Sequence, residues 1–261
     1  MTATSTAEEV KGVVAALGLR KTPVILKTSP IQSHMKFSIV RRPSNNFGLD
    51  GSKNDRGHSN PGLMDLLGRL YLNRFLEDLS KGRKPKKCII FCRGNGVLGA
   101  IYGRLMELTD FRYSNCTDAP FVMNHSSLLP PTEKVLAERV DEICLYLSSN
   151  KMLLGIDLPD IDIVIFIRPY NQLAALVQGG GRGGRKIGNG KRRRVQVYQL
   201  FNNQDFASQN KLMSSDMKRI CLSNECTRKL LKEYFIGDSS EDIQVSSELC
   251  CHNCDKFINK Y

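Results

Sequence analysis

The chain has 261 residues, of which 41% are hydrophobic and 25% charged, and 38 lysines and arginines against 26 acids give it a net charge of +12. These values exclude a wholly disordered chain, a collagen-like chain and a coiled coil, and leave enough apolar residues for a core. No apolar run approaches the roughly 18–20 residues that span a bilayer, and Met1-Thr-Ala-Thr-Ser5 has neither the charged nor the apolar region of a secretory signal. No membrane partner is expected. The positive surplus favours a polyanion, because neutralising phosphates releases counterions.

Ser5-x-x-Glu8 has the spacing of a capping box, followed by Val10, Val13, Val14 and Leu17 at helical intervals and by Gly18 as a C-cap. Pro23 to Leu26 and Phe37 to Val40 read as short strands, and the polar stretch from Arg42 to Asn60 as a loop. Leu63 to Leu79 has the periodicity of a helix, and Lys81 to Lys87 is a basic turn. An α/β rhythm then begins. Cys88-Ile-Ile-Phe-Cys92 is an apolar strand, Val97 to Leu108 a helix, Phe121 to Asn124 a strand and Thr132 to Ile143 a helix. Cys144 to Leu147 and Ile161 to Ile167 are strands, Gln172 to Gln178 a short helix and Val195 to Leu200 a last strand. Strands apolar on both faces and alternating with helices predict a parallel sheet covered on both sides. Near residue 202 the rhythm gives way to helices and a cysteine cluster, which suggests a second, smaller module.

Four constellations could carry chemistry. Gly94-Asn-Gly96-Val-Leu-Gly99 follows a strand and opens a helix, with Asp118 about 20 residues on, the context of a dinucleotide fingerprint. It is also what an ordinary strand-to-helix turn looks like. Gln178-Gly-Gly-Gly181-Arg182-Gly-Gly184-Arg185 places two arginines beside glycines that let backbone approach a phosphate. Following a short helix after a strand, it is expected at the sheet terminus where α/β proteins bind ligands. A flexible Arg/Gly nucleic-acid tether, continued by Lys191-Arg-Arg-Arg194, is the competing interpretation. Ser149 to Asp160 links two strands through Gly155 and Asp157 and could be a plain connection.

The fourth constellation is made of cysteines. Cys88, Cys92 and Cys144 lie in apolar runs and read as buried thiols, whereas Cys221, Cys226, Cys250, Cys251 and Cys254 crowd the end of the chain. Cys226-x24-Cys251-x2-Cys254 suits tetrahedral zinc, with Cys250, Cys221 and His252 as candidates for the fourth ligand. Steric considerations disfavour adjacent Cys250 and Cys251 on one ion.

In order, these segments resemble the second half of a RecQ-family, superfamily 2 DNA helicase. Thr2-Ala3-Thr4 resembles the motif closing the family's first motor lobe, and Lys87 to Leu105 the strand and helix that begin the second lobe's nucleic-acid face. Phe121-Val-Met-Asn-His125 and Ser149 to Asp157 resemble the segments that follow, and Gln178-x-x-Gly181-Arg182-x-Gly184-Arg185 matches the last helicase motif. Cys226-Thr-Arg228 through Phe235, with Cys251-x-x-Cys254-Asp255, resembles the zinc-binding subdomain, although Thr227 and Phe257 stand where the family usually has arginine and cysteine.

The resemblance implies a RecA-like parallel sheet covered by helices plus a small helical zinc module. The expected domains are a first-lobe remnant at 1–27, the second lobe at 28–201 and the zinc-binding subdomain at 202–261. It implies an ATP-dependent 3′-5′ DNA helicase, with Arg182 and Arg185 neutralising charge on the γ-phosphoryl and Arg185 as the finger. Gln178 would link that loop to the DNA-bound segments. Gly155, Asp157 and Gly181 would lie on the nucleotide side, and Arg93, Asn95 and Ser149 would contact single-stranded DNA. Cys226, Cys251 and Cys254 would bind Zn2+. ATP with Mg2+ would be held mostly by a first lobe, since no Gly-x-x-x-x-Gly-Lys-Ser/Thr and no strand ending in Asp-Glu-x-His occurs in these 261 residues. The chain is thus expected to be a fragment, with single-stranded or forked DNA and a first motor lobe as partners. Its expected location is the nucleus, or the cytoplasm or nucleoid of a prokaryote. A non-catalytic nucleic-acid-binding descendant and a dinucleotide-dependent oxidoreductase are the alternatives.

Overall fold

The computed structural model describes residues 7–18, 31–42, 62–113, 118–124, 138–149, 158, 161–184, 193–207, 213–237 and 250–258. Its centre is a parallel sheet of six strands: β1 (Met35–Arg41), β2 (Lys87–Phe91), β3 (Phe121–Asn124), β4 (Leu145–Ser148), β5 (Ile161–Phe166) and β6 (Val195–Phe201). They lie in the order β1-β6-β5-β2-β4-β3, so the chain crosses over repeatedly rather than adding neighbours in sequence. The all-apolar run of β2 occupies the middle, paired with β4 through Cys88↔Leu145 and with β5 through Ile89↔Val164.

The pleat sends alternate side chains to two separate cores. Cys88 and Ile90 face one side, with Leu145, Leu147 and Ile165, and are covered by Leu67, Tyr71 and Phe75 and by Leu98, Ile101 and Leu105. Those covering residues come from a helical stretch, α2 (Gly62–Leu67) and α3 (Asn73–Ser80), and from α4 (Asn95–Leu108). The continuous helix expected over 63–79 is instead interrupted by a π-turn at Gly68–Leu72. Tyr71, within that turn, donates its hydroxyl to the carbonyls of Lys86 (2.7 Å) and Cys144 (3.2 Å), tying the helix to the starts of β2 and β4.

Ile89, Phe91, Val164, Phe166 and Val197 face the other side. They are covered by α5 (Leu173–Gly180), α6 (Ser215–Leu222) and α7 (Thr227–Ile236), through Leu176 and Val177, Met217 and Ile220, and Leu230, Leu231 and Phe235. A last helix, α8 (His252–Ile258), follows Cys251, whose backbone bridges to Phe37 of β1. The apolar residues beyond 202 therefore join the core on the β1 side of the sheet.

Near the N-terminus, α1 (Ala7–Ala16) ends at Gly18 with φ +58°, the left-handed cap its position suggested. The Ser5 cap and the expected strand at 23–26 lie outside the described residues. Of the helix expected over 132–143, Glu138 is helical and residues 139–142 form a turn that precedes β4.

At the carboxyl edge of the sheet, Arg42 Nη2 donates to Asp205 Oδ1 at 2.7 Å, the two side chains being only 2% and 5% exposed. Asp205 also caps the short 3-10 turn Asn203–Phe206, accepting from the Asn202 amide at 2.8 Å. Among the described residues no helix is long and apolar enough to cross a membrane.

Candidate functional site

The candidate residues fall at both edges of the sheet. At the carboxyl edge, β2 ends next to β4 and β5, so Arg93, Asn95 and Ser149 come to one side of the sheet although they are far apart in sequence. Arg93 and Asn95, in the turn that starts α4, are exposed. The Arg93 guanidinium donates to Asn171 Oδ1 at 2.8 Å and lies 5.9 Å from the Tyr170 ring centroid. Ser149 is 8% exposed, and its hydroxyl meets no partner among the described residues.

Three glycines precede and open α4. A Cβ added at Gly94, Gly96 or Gly99 would meet nothing within 4 Å. A dinucleotide fingerprint needs its glycines for close approach of ligand and strand. Nothing crowds Gly99, so the close helix–strand packing that the third glycine of such a fingerprint permits is not present at this turn.

The arginine turn was expected at the ligand-binding end of the sheet, and the structure corrects this. After β5, α5 runs back against the strands, and Arg182 emerges beside their amino-terminal ends. The Gly184 amide donates to the carbonyl of Ile161, the first residue of β5, at 3.1 Å. The reversal follows from a parallel sheet, whose crossover helices must return the chain to the edge where the next strand starts.

Gly181 ends the helix, its amide donating to Val177 at 2.8 Å, and the next two amides donate to Gly179 and Gly180 at 3.1 Å each. A Cβ on Gly183 would lie 2.5 Å from a methyl of Val195 and 3.0 Å from the Ile161 carbonyl oxygen. Gly184 has φ +64°, and a Cβ there would come within 2.4 Å of the His34 ring and 2.6 Å of the Arg193 carbonyl oxygen. These two glycines are required by packing and by backbone shape. Replacing Gly184 with alanine should cost about 1–3 kcal/mol of unfolding free energy; a change below a few tenths in a urea titration would contradict the geometry.

Arg182 is partly buried, and burial lowers the pKa of its guanidinium. Gln178 is one turn earlier in α5, at the arginine end and away from Arg93. Arg185, Gly155 and Asp157 lie outside the described residues.

The third site is the cysteine cluster. The sulfurs of Cys226, Cys250, Cys251 and Cys254 all lie within 4.8 Å of one another. Cys226 and Cys250 are 3.3 Å apart, Cys251 and Cys226 4.0 Å, and Cys254 lies 3.6 Å from both Cys251 and Cys250. Four thiolates about 2.3 Å from one zinc would be about 3.8 Å apart in a tetrahedron, so the donor set fits that ion. The fourth sulfur is Cys250, one of the three candidates, although sterics disfavour adjacent cysteines on one ion. Cys250 lies in a bend, whereas Cys251 heads α8 and meets Cys254 one turn later, so the two side chains reach the centre from different directions. Cys221 and His252 are not in the four-sulfur group; Cys221 is buried in the core, where burial raises its thiol pKa. Contacts with the Cys226 sulfur, then that of Cys250, lower the pKa of the Cys251 thiol.

The sheet and its covering helices have the RecA-like fold seen in helicase C-terminal lobes. Residues 70–187 match the helicase conserved C-terminal domain family. Among solved structures, S. cerevisiae Dbp5 bound to RNA and ADP BeF3 shares 14% identity at a TM-score of 0.52, covering 98% of this chain and 53% of that one. Mycobacterium smegmatis helicase Lhr bound to ssDNA and AMP-PNP shares 16% identity at a TM-score of 0.46, covering 81% and 22%. The C-terminal part of the Fun30 ATPase domain shares 19% identity at a TM-score of 0.40, covering 58% and 44%. The chain thus spans about half or less of each of these structures. No curated protein matches its sequence.

Proposed function

We propose that this chain is the second motor lobe and zinc-binding subdomain of a RecQ-like, ATP-dependent 3′-5′ DNA helicase. The observation that carries the proposal is the arginine turn, packed without room for a side chain at Gly183 or Gly184 and presenting Arg182 at the amino edge of the sheet. A flexible Arg/Gly tether would need no such fit. In this reading Arg182 and Arg185 neutralise charge developing on the γ-phosphoryl of ATP, with Arg185 as the finger, an effect of about 10³–10⁵ in rate. In the same reading Gly155, Asp157 and Gly181 would serve the nucleotide side. Gripping the phosphates and Mg2+ falls to a first lobe, because the 261 residues hold no phosphate-loop motif.

Arg93, Asn95 and Ser149 would follow the phosphates of single-stranded or forked DNA along the carboxyl edge. The link between the two faces is α5. Asn171, bonded to Arg93, stands just before it, and Arg182 just after it. A rigid rod of eight residues, about 12 Å long, would carry a shift at the DNA face toward the arginines, with Gln178 on its last turn. Zinc, when bound, supplies a cross-link between α7 and α8 through Cys226, Cys250, Cys251 and Cys254.

Anisotropy titrations against single-stranded DNA at several salt concentrations test this reading. The chain should bind with a steep negative log–log salt slope, and Arg93→Ala should reduce that slope by about one. The same protein should show no appreciable DNA-stimulated ATP hydrolysis. Salt-independent binding, or robust hydrolysis by this chain alone, would refute the division of labour between two lobes.

A further inference from the structure

The arginine turn and the cysteine cluster meet on one short segment, Gln32 to Phe37, that leads into and begins β1. On one side of it, His34 is buried with its ring against Gly184, and its carbonyl accepts from the Val195 amide at 3.0 Å. The left-handed Gly184 is thereby held between the His34 ring and the Arg193 carbonyl, immediately before Arg185 and two residues after Arg182.

On the other side the segment is gripped by the cysteine module. Arg228, two residues past Cys226, is 5% exposed. It donates from Nη1 to the Gln32 carbonyl at 3.3 Å and from Nη2 to the Met35 carbonyl, and its guanidinium lies 6.0 Å from the Phe37 ring centroid. It also sits in the field of the Cys250, Cys226 and Cys251 sulfurs. Lys36 pairs with Asp255 at 2.6 Å, and Phe37 bridges to Cys251 through the backbone. The two carbonyls that Arg228 holds belong to residues flanking His34.

We propose that His34 is a positioning residue for the arginine turn, held in place by the cysteine cluster through Arg228. Arg228, at the start of the helix that follows Cys226, fixes the carbonyls on either side of His34, and the imidazole in turn walls the turn that carries Arg182. The cysteine module thereby reaches the arginine turn without any cysteine touching it. The functional meaning of this coupling rests on the proposed role of Arg182 and Arg185, but the coupling itself can be measured without nucleotide.

The test is residue-resolved amide exchange on the full chain purified with zinc. The Gly184 amide, bonded to Ile161, is the reporter, and the Ile89 and Val164 amides of the central strands are the reference. His34→Ala should speed exchange at Gly184 by about tenfold while the reference amides stay unchanged. His34→Gln, which restores a planar group of similar reach, should return most of the protection. Arg228→Lys, remote from the turn, should reproduce the faster exchange. Unchanged exchange at Gly184 in His34→Ala or in Arg228→Lys would overturn the proposal, as would an equal rise at Ile89 and Val164. Should the arginines prove to have no part in ATP hydrolysis, these exchange results would still stand or fall on their own.

Discussion

Asp205→Ala is expected to destabilise the fold by about 3–5 kcal/mol, because it strands the Arg42 guanidinium in the protein interior. Arg42 is buried and its pKa is lowered by that burial, with Asp205 as the main opposing attraction. The same carboxylate also stands 3.6 Å from Arg168 and closes the capping box with Asn202, so its removal frees the segment that follows β6 as well. In a chain of this size the loss corresponds to a fall in unfolding temperature on the order of 10 °C. Replacing both partners with apolar residues, as in Arg42→Met with Asp205→Leu, should cost clearly less than Asp205→Ala alone, because no buried guanidinium is then left without its carboxylate. Urea titrations of the three proteins decide this; a single-variant cost below about 1 kcal/mol would mean that the pair behaves like a surface salt bridge.

The second large effect is expected on removing zinc. A metal that binds only the folded chain, present at about a thousandfold above its dissociation constant, adds about 4 kcal/mol. Chelation should therefore lower the unfolding temperature by about 10 °C, and added zinc should restore it. Elemental analysis of protein purified without a tag should find about one zinc per chain. Cys250→Ser should lose that stoichiometric metal, whereas Cys221→Ser should keep it, since the Cys221 sulfur is not part of the four-sulfur group. No thermal shift on chelation, or retention of zinc by Cys250→Ser, would contradict the tetracysteine assignment.

The strands were legible because their chemistry is local. Cys88 to Phe91 and Ile161 to Phe166 are apolar on both faces, which a sheet covered on both sides demands. What depends on long-range pairing was not legible. Nothing in the sequence near Phe37 says that β1 pairs with β6 at the sheet edge, and Arg42 and Asp205 are 163 positions apart. The π-turn at 68–72 was hidden by the unbroken apolar periodicity of Leu63 to Leu79. The arginine motif could be recognised as a unit, and its edge of the sheet follows from the parallel order already expected, because a crossover helix returns the chain to the amino ends of the strands. The sequence alone leaves Cys250, Cys221 and His252 open as the fourth ligand, because adjacent residues on a regular element project apart; a bend followed at once by a helix start brings Cys250 and Cys251 together. Arg228 was read only as part of the cysteine motif, and its hold on the carbonyls of Gln32 and Met35 could not have been found without coordinates.

We propose different work for the two edges of the sheet, nucleic acid at the carboxyl edge and arginines toward nucleotide at the amino edge. Photo-cross-linking a single-stranded oligonucleotide to the full chain, followed by peptide mapping, measures this directly. Adducts should fall at 92–95, 148–149 and 170–171. Adducts confined to 182–194 would instead make the arginine segment a nucleic-acid tether and contradict the motor-lobe assignment.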